Sequence, residues 1–189
     1  MGEECMLKNN LKVLVYAGPN GSGKSTAYKN RGIIGRYINA DDIKKERACS
    51  DIVAAIEAEQ QREFCLENKE NFTFETVLST DRNLIFLMKA KDMGYYIDSV
   101  FVLTADVELN VLRVQSRVAK GGHDVPEDKI RSRYGKSLKN LPTLIKISDA
   151  CLVVDNTDKA STIFEKAEKV QYIQANDFWS EDAIKKLIN

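Results

Sequence analysis

Gly18-Pro19-Asn20-Gly21-Ser22-Gly23-Lys24-Ser25 matches the pattern G-x-x-x-x-G-K-[ST] at every fixed position. Before it, Leu11-Lys12-Val13-Leu14-Val15-Tyr16-Ala17 is apolar and rich in β-branched residues, and reads as a buried strand. After it, Ser25-Thr26-Ala27-Tyr28-Lys29 can continue as a helix. Glycines let a loop between strand and helix close so that its backbone N–H groups converge, and the helix N-terminus adds the positive end of its dipole. Phosphate suits such a loop. Gly18, Pro19, Asn20, Gly21, Ser22, Gly23, Lys24, Ser25 and Thr26 are therefore candidate nucleotide-binding residues, with Lys24 at the β- and γ-phosphates and the Ser25 hydroxyl as a magnesium ligand. The competing reading is a glycine-rich hairpin or surface loop.

The 189 residues favour one domain over 1–189 with a substantial core. Basic and acidic residues number 28 each, so the formal net charge is zero, and no basic block stands out. Nucleic acid and anionic membrane are thus not expected as partners, although a local basic pocket remains open. No run of about 18 apolar residues suggests a membrane span. Met1-Gly2-Glu3-Glu4-Cys5 is acidic and lacks a signal-peptide pattern, and Met6 stands where a myristoylation signal needs Ser or Thr. Cys5, Cys49, Cys65 and Cys151 are scattered, with a single His in the chain. They read as reduced thiols, and the expected location is cytoplasmic.

Along the chain, Arg36-Tyr37-Ile38 reads as a second strand ending at Asn39-Ala40-Asp41-Asp42, with Asp41 or Asp42 able to cap the helix that follows. A helix from Asp51 to about Asn68 is expected to turn Val53, Ile56, Gln60 and Phe64 inward. Residues 71–76 read as a third strand closing at Glu75. Asp81 can cap a helix that runs to Gly94 with Leu84, Leu87 and Met88 inward. A fourth strand spans 96–103 and ends at Thr104. Residues 106–120 form a helix with Val107, Val111, Val114 and Val118 on one stripe, broken by Gly121-Gly122. Pro126 opens the next helix, where Asp124 and Glu127 resemble a capping pair and Ile130, Tyr134 and Leu138 face inward. Leu152-Val153-Val154 is a fifth strand. Residues 161–175 fit a helix or a β-hairpin, and the hairpin is preferred; a terminal helix covers 177–188. Alternating strands and helices imply an α/β fold: a mainly parallel sheet with helices on both faces. Ligands in such sheets lie at the carboxyl ends of the strands, which singles out Asp41, Glu75, Thr104 and Asp155.

Three kinds of phosphate-loop protein compete. A GTPase should carry N-K-x-D late in the chain, where Asp155-Asn156-Thr157-Asp158-Lys159 does not match. A motor or assembly ATPase would usually be larger, with its third strand ending in Asp rather than Glu75. A small-molecule kinase needs an acid to orient a hydroxyl and mobile arginines to cover the phosphates, and both are present. Arg113 and Arg117 lie four apart on one helix face, and Arg131 and Arg133 follow the Gly121-Gly122-His123 turn. The segment of about 113–134 can fold over a nucleotide as a helical lid; a solvated, salt-bridged helix pair is the alternative. Asp41 is the candidate for orienting the acceptor hydroxyl, against a plain helix cap. Glu75 would accept from acceptor hydroxyls, against a strand-end surface charge. His123 reads as a turn residue before a catalytic one.

Ala17-Gly18-Pro19-Asn20-Gly21-Ser22-Gly23-Lys24-Ser25-Thr26, Asn39-Ala40-Asp41, Phe74-Glu75-Thr76 with Ser79, and Gly121-Gly122-His123-Asp124-Val125-Pro126 with Arg133-Tyr134 together resemble the zeta-toxin family of P-loop kinases. The motifs run from residue 12 to about 156. The resemblance implies ATP- and magnesium-dependent phosphorylation of a hydroxyl on UDP-N-acetylglucosamine or a related UDP-sugar. It implies Asp41 as base, Glu75 as a sugar contact, and lid arginines, Arg117 and Arg133 among them, on the phosphates; the Arg113-to-Arg117 spacing is similar to that of adenylate-kinase-like lids, where the first stacks near adenine, and Asn39, Thr76 and Thr104 are further candidates for the acceptor side. An antitoxin protein is a possible partner, although no antitoxin segment is visible and the chain is shorter than many toxin members. A kinase of another hydroxylated metabolite and a nucleotide-binding regulatory module with little turnover are the alternatives.

Overall fold

The computed structural model describes residues 11–189; the readings made on residues 1–10, Cys5 among them, lie outside it. Seven strands, β1 (Lys12–Ala17), β2 (Arg36–Ile38), β3 (Phe72–Thr76), β4 (Tyr96–Leu103), β5 (Ala150–Asp155), β6 (Ser161–Ala167) and β7 (Val170–Ile173), form one sheet in the order β2-β3-β1-β4-β5-β6-β7. The first five in space are parallel, and β6 and β7 extend the sheet antiparallel. Seven helices connect or follow them: α1 (Lys24–Arg31), α2 (Ala40–Arg47), α3 (Asp51–Glu67), α4 (Arg82–Asp92), α5 (Val107–Ala119), α6 (Glu127–Ile147) and α7 (Glu181–Ile188). No helix among the described residues is long and apolar enough to cross a membrane.

The order of strands positions the site. From β1 the chain crosses β3 to reach β2, whereas from β3 it crosses β1 to reach β4. The two connections diverge, so a crevice opens between the carboxyl ends of β1 and β3, where Ala17 pairs with Thr76. The larger core lies on one side of the sheet, where Val13, Val15, Phe72, Phe74, Ile97 and Phe101 meet α3, α4 and α6 residues such as Ala58, Leu87 and Leu144. On the other face Leu14, Tyr16, Val100 and Val102 pack with Ala27 and Ile34. The 3.6-residue repeat of α5 closes a third, small cluster, in which Val111 and Val114 meet Val125 and Ile130 under the Gly121-Gly122 turn.

Several expectations change. In α3 the buried residues are Ala54, Ala58, Arg62, Cys65 and Leu66, while Val53, Ile56 and Phe64 are about half exposed. The helix is rotated from the hydrophobic reading because two alanines permit a close approach that the larger side chains would block. Met88 is likewise outward on α4. Asp81 precedes α4 without a side-chain cap, Asp124 does not cap α6, and α2 is capped by Asn39 rather than by Asp41 or Asp42. Residues 161–175 do form a hairpin. Its β5 pairing shifts register between Val153 and Val154, so that Ile163 and Phe164 are both buried, and this explains the mixed periodicity.

One buried charge ties the thinner face together. Asp98 of β4 is only 4% exposed and accepts two hydrogen bonds from Arg31 at the end of α1, at 2.9 and 3.1 Å; Lys12 of β1 approaches it at 2.9 Å. Both cations remain partly in solvent. Asp98→Ala therefore strands two solvated cations rather than two buried ones, and the expected loss is about 2 kcal/mol, below the usual range for breaking a buried pair. Lys12→Met, which leaves the Arg31 pairing intact, should cost under about 1 kcal/mol. Urea unfolding checks both, and equal, negligible losses would remove Asp98 as the anchor.

Candidate functional site

The loop after β1 is held from three sides. Gly18 donates its N–H to Thr76 O at 3.2 Å, joining the loop to the end of β3. Asn110 of α5 donates its amide to Asn20 O at 2.7 Å, and Asn156, just past β5, donates to Ser22 O at 2.8 Å. Thr104, at the end of β4, hydrogen-bonds Asn110 Oδ1 and so fixes which end of that amide meets the loop. The contacts leave no space for side chains on the glycines. A Cβ on Gly18 would lie 2.0 Å from Val102 O, and one on Gly23 would lie 2.3 Å from the Asn156 amide nitrogen; both residues have positive φ, +138° and +100°.

Thr104 thus supports the loop and lies off the cleft lining. It is fully buried, and its hydroxyl is committed to Asn110 and to Asp106 O. Asp155 is also turned inward: it accepts from Thr157 and from Asn176 and organises the β5 exit. Asn110 and Asn156 were legible only as a helix residue and a strand-end residue, because their partners are 90 and 134 positions away.

The loop opens onto a cleft of about 1790 Å³ lined on one side by Lys24, Ser25 and Thr26, and on the other by Asn39, Asp41, Glu75 and Thr76. Lys24 Nζ donates to Gly18 O at 2.8 Å and Pro19 O at 3.1 Å. Burial pulls its pKa below the usual lysine value, an effect opposed by the Glu75 and Asp41 carboxylates and reinforced by Arg117. Burial pushes the Glu75 carboxyl above its usual range, against the stabilising field of Lys24 and a hydrogen bond from Tyr37.

A hydrogen-bond chain sets the acidic side. Tyr37 OH donates to Glu75 Oε1 at 2.5 Å and accepts from Asn39 Nδ2 at 3.0 Å, and Asn39 Oδ1 accepts the Asp41 N–H at 2.8 Å. Asn39 is therefore the N-cap of α2, with both ends of its amide engaged inside the protein. The Asp41 carboxylate is left with no hydrogen bond or ion pair among the described residues and faces the cleft. Thr76 lines the cleft too, but its hydroxyl accepts from Leu78 N and from Asn83 Nδ2, so it shapes the turn that leads into α4.

The four arginines expected in a lid have distinct surroundings. Arg113 donates to Thr157 O at 3.2 Å, and Arg117 donates to His123 O at 2.7 Å across the turn. Arg131 is bound by Glu108 and Glu127 and points away from the cleft lining. Arg133 lines the cleft with no carboxylate partner among the described residues. Seven buried side-chain polar atoms lack a hydrogen bond among the described residues, and four belong to residues lining this cleft: Asn20, Arg62, Asn83 and Arg113. Buried polar atoms are normally satisfied, so their concentration here marks surface shaped for a polar ligand.

Known structures share this arrangement of elements. The fold superposes on a crystal structure of AvrRxo1-ORF1:-ORF2 with ATP at a TM-score of 0.74, with 11% identity over 95% of this chain and 64% of the other; this chain thus spans under two thirds of that protein's length. It matches a structure from the PezAT chromosomal toxin–antitoxin system of Streptococcus pneumoniae at 0.62, with 16% identity over 95% and 83% of the two chains. A putative kinase from Chloroflexus aurantiacus gives 0.57, with 15% identity over 79% and 90%. These likenesses show an α/β fold of the P-loop kinase type. No protein-family model matches the chain. An uncharacterised protein of Haemophilus influenzae is 31% identical over 129 residues, which cover 65% of this chain and 92% of the relative. At that identity and coverage, the chain belongs to the same family as the Haemophilus influenzae protein.

Proposed function

We propose that this protein is an ATP- and magnesium-dependent small-molecule kinase that phosphorylates a hydroxyl of UDP-N-acetylglucosamine or a related UDP-sugar. The observation that carries the reading is the meeting, in one cleft, of a clamped phosphate loop with its lysine, an unpartnered carboxylate, and an arginine from the lid. The loop and the N-terminus of α1 bind the nucleotide's phosphates, and Lys24 gives up its two loop carbonyls to reach them. Asp41 accepts the proton of the acceptor hydroxyl and orients its oxygen toward the γ-phosphate; a carboxylate of ordinary basicity suffices because phosphoryl transfer is mainly positioning and charge stabilisation. Arg133 and Arg117 stabilise the charge on the transferred group, and Glu75 accepts from further acceptor hydroxyls through the oxygen not engaged by Tyr37.

Ser25 fits a magnesium ion as the protein's donor: its hydroxyl lies on the cleft lining at the mouth of the loop, and the ion would be carried chiefly by phosphate oxygens. When bound there it supplies neutralising charge between the phosphates. The ATP in the AvrRxo1-ORF1:-ORF2 structure and the kinase assignment of the Chloroflexus protein support the nucleotide and the reaction class. The two-protein character of the AvrRxo1 and PezAT systems supports an antitoxin-like partner as a further expectation. A kinase of some other hydroxylated metabolite shares every feature except the acceptor.

Purified protein incubated with ATP, magnesium and a panel of UDP-sugars should yield a phosphorylated sugar nucleotide. Lys24→Ala should abolish it without loss of fold, since the lysine's bonds are to its own loop. Product formed by Lys24→Ala at the parent rate would remove the phosphate-loop assignment, and turnover of a different metabolite alone would replace the acceptor.

Asp41→Asn tests the base. Asn39 supplies the cap, so the variant should keep its thermal stability and its nucleotide affinity, while kcat at saturating acceptor falls by about hundredfold or more, as for loss of a general base. Parent-like turnover would leave Asp41 without a catalytic role.

The two lid arginines give opposite expectations. Arg133→Ala should lower kcat by about hundredfold, the size of comparable electrostatic contributions, with little change in ATP affinity. Arg131→Ala removes only exposed pairs with Glu108 and Glu127 and should leave kcat within about threefold of the parent. Reversal of that order in steady-state kinetics would overturn the assignment.

A further inference from the structure

Arg62 is the buried charge that neither the phosphate loop nor the lid uses. It lies on the inward face of α3, is 8% exposed, and lines the cleft. Its guanidinium sits over the rings of Phe74 and Phe86, at 5.1 and 5.5 Å from their centroids. It has no carboxylate within ion-pair distance and makes no hydrogen bond among the described residues; its Nε is fully buried without a partner. The acidic residues nearest in its field, Glu59 and Glu63, are already taken outward, Glu59 by Arg82 and Glu63 by Lys89. On the lining of the same cleft, Asn83 donates its amide to Thr76 and leaves Oδ1 buried and unpaired among the described residues.

A buried guanidinium without an anion is costly, and two aromatic faces repay only part of that cost. An aliphatic side chain would pack against Phe74 and Phe86 at lower cost, so the cation calls for an anion supplied from the cleft. Arg62 and Asn83 line the same cleft as Asp41, Glu75 and Thr76, which puts the guanidinium on the wall available to an acceptor held there. We propose that Arg62 is the anion anchor of the acceptor subsite, taking a phosphate or carboxylate of the acceptor while its hydroxyl is presented to Asp41. The guanidinium's planar fork suits either group, and the unpaired Asn83 carbonyl would accept from a donor beside it. The inference rests on the kinase reading for the identity of the cleft, and it adds the residue that takes the acceptor's anionic group.

The test is calorimetric titration on protein saturated with magnesium ADP, so that phosphate-bearing probes cannot occupy the loop. The probes are N-acetylglucosamine, its 1-phosphate, N-acetylmuramic acid and UDP-N-acetylglucosamine. At least one anionic probe should bind at least about tenfold more tightly than the neutral sugar, and the phosphate and carboxylate arms show which anion is preferred. Arg62→Leu should remove that preference, weakening the anionic probe by about tenfold or more, the range for a charge-assisted hydrogen bond, while leaving ADP affinity unchanged. Arg62→Gln, which keeps polar atoms over the rings but no charge, should show the same loss and carries the test if the leucine variant does not fold. Unaltered binding of the anionic probes by either folded variant, or no preference for an anion in the parent, overturns the proposal. ADP binding read in the same titrations keeps that failure separate from failure of the nucleotide site.

Discussion

The phosphate loop depends on being held from outside itself. A stretch with three glycines has little conformational reason to stay closed, and its useful groups are peptide N–H donors that must be aimed before a ligand arrives. Two asparagines do the holding. Asn110 reaches from α5 and Asn156 from the end of β5, each spending an amide donor on a loop carbonyl. The close approach of Gly18 to the Val102 carbonyl then forbids any side chain at that position. The helix that carries Asn110 also carries Arg113 and Arg117, so the loop and the lid are oriented by one element.

The acidic side of the cleft is built by a similar division of labour. Tyr37 ties Glu75 to Asn39, and Asn39 caps α2. Had Asp41 or Asp42 served as the cap, its oxygens would have been aimed at backbone N–H groups and withdrawn from the cleft. Because Asn39 takes that place, the Asp41 carboxylate stays unpartnered at the first turn of the helix. Burial raises the proton affinity of Glu75 and lowers that of Lys24, yet the charge of each opposes the other's shift.

The segment joining α5 to α6 has a small core of its own. Val111 and Val114 pack with Val125 and Ile130, separate from the main core, while the far half of α6 buries Leu141, Leu144 and Ile147 against the sheet. The turn at Gly121-Gly122 is therefore held by a cluster distinct from the one that packs the sheet.

The strand–loop–helix around Lys24, the alternation of strands and helices, and the hydrophobic stripe of α5 were all legible in the amino-acid order, because each rests on contacts between neighbours in sequence or on a short periodicity. The meeting of Asp41 and Glu75 in one cleft followed from strand ends in a parallel sheet. Other features needed the tertiary structure. Nothing local distinguishes Arg131 from Arg133: two glutamates, one of them 23 residues away, decide that the first is a surface pair. Thr104 lies at a strand end like the others, but Asn110 draws its hydroxyl inward. The rotation of α3 ran against its hydrophobic pattern, since close packing of Ala54 and Ala58 outweighed the exposure of Val53, Ile56 and Phe64, and that rotation is what buries Arg62. Sequence determined the elements and the phosphate loop because those are set by short-range backbone and periodicity. Which polar groups are spent on the protein and which remain for a ligand was decided by partners tens of residues apart, and only the folded chain brings them within hydrogen-bond distance.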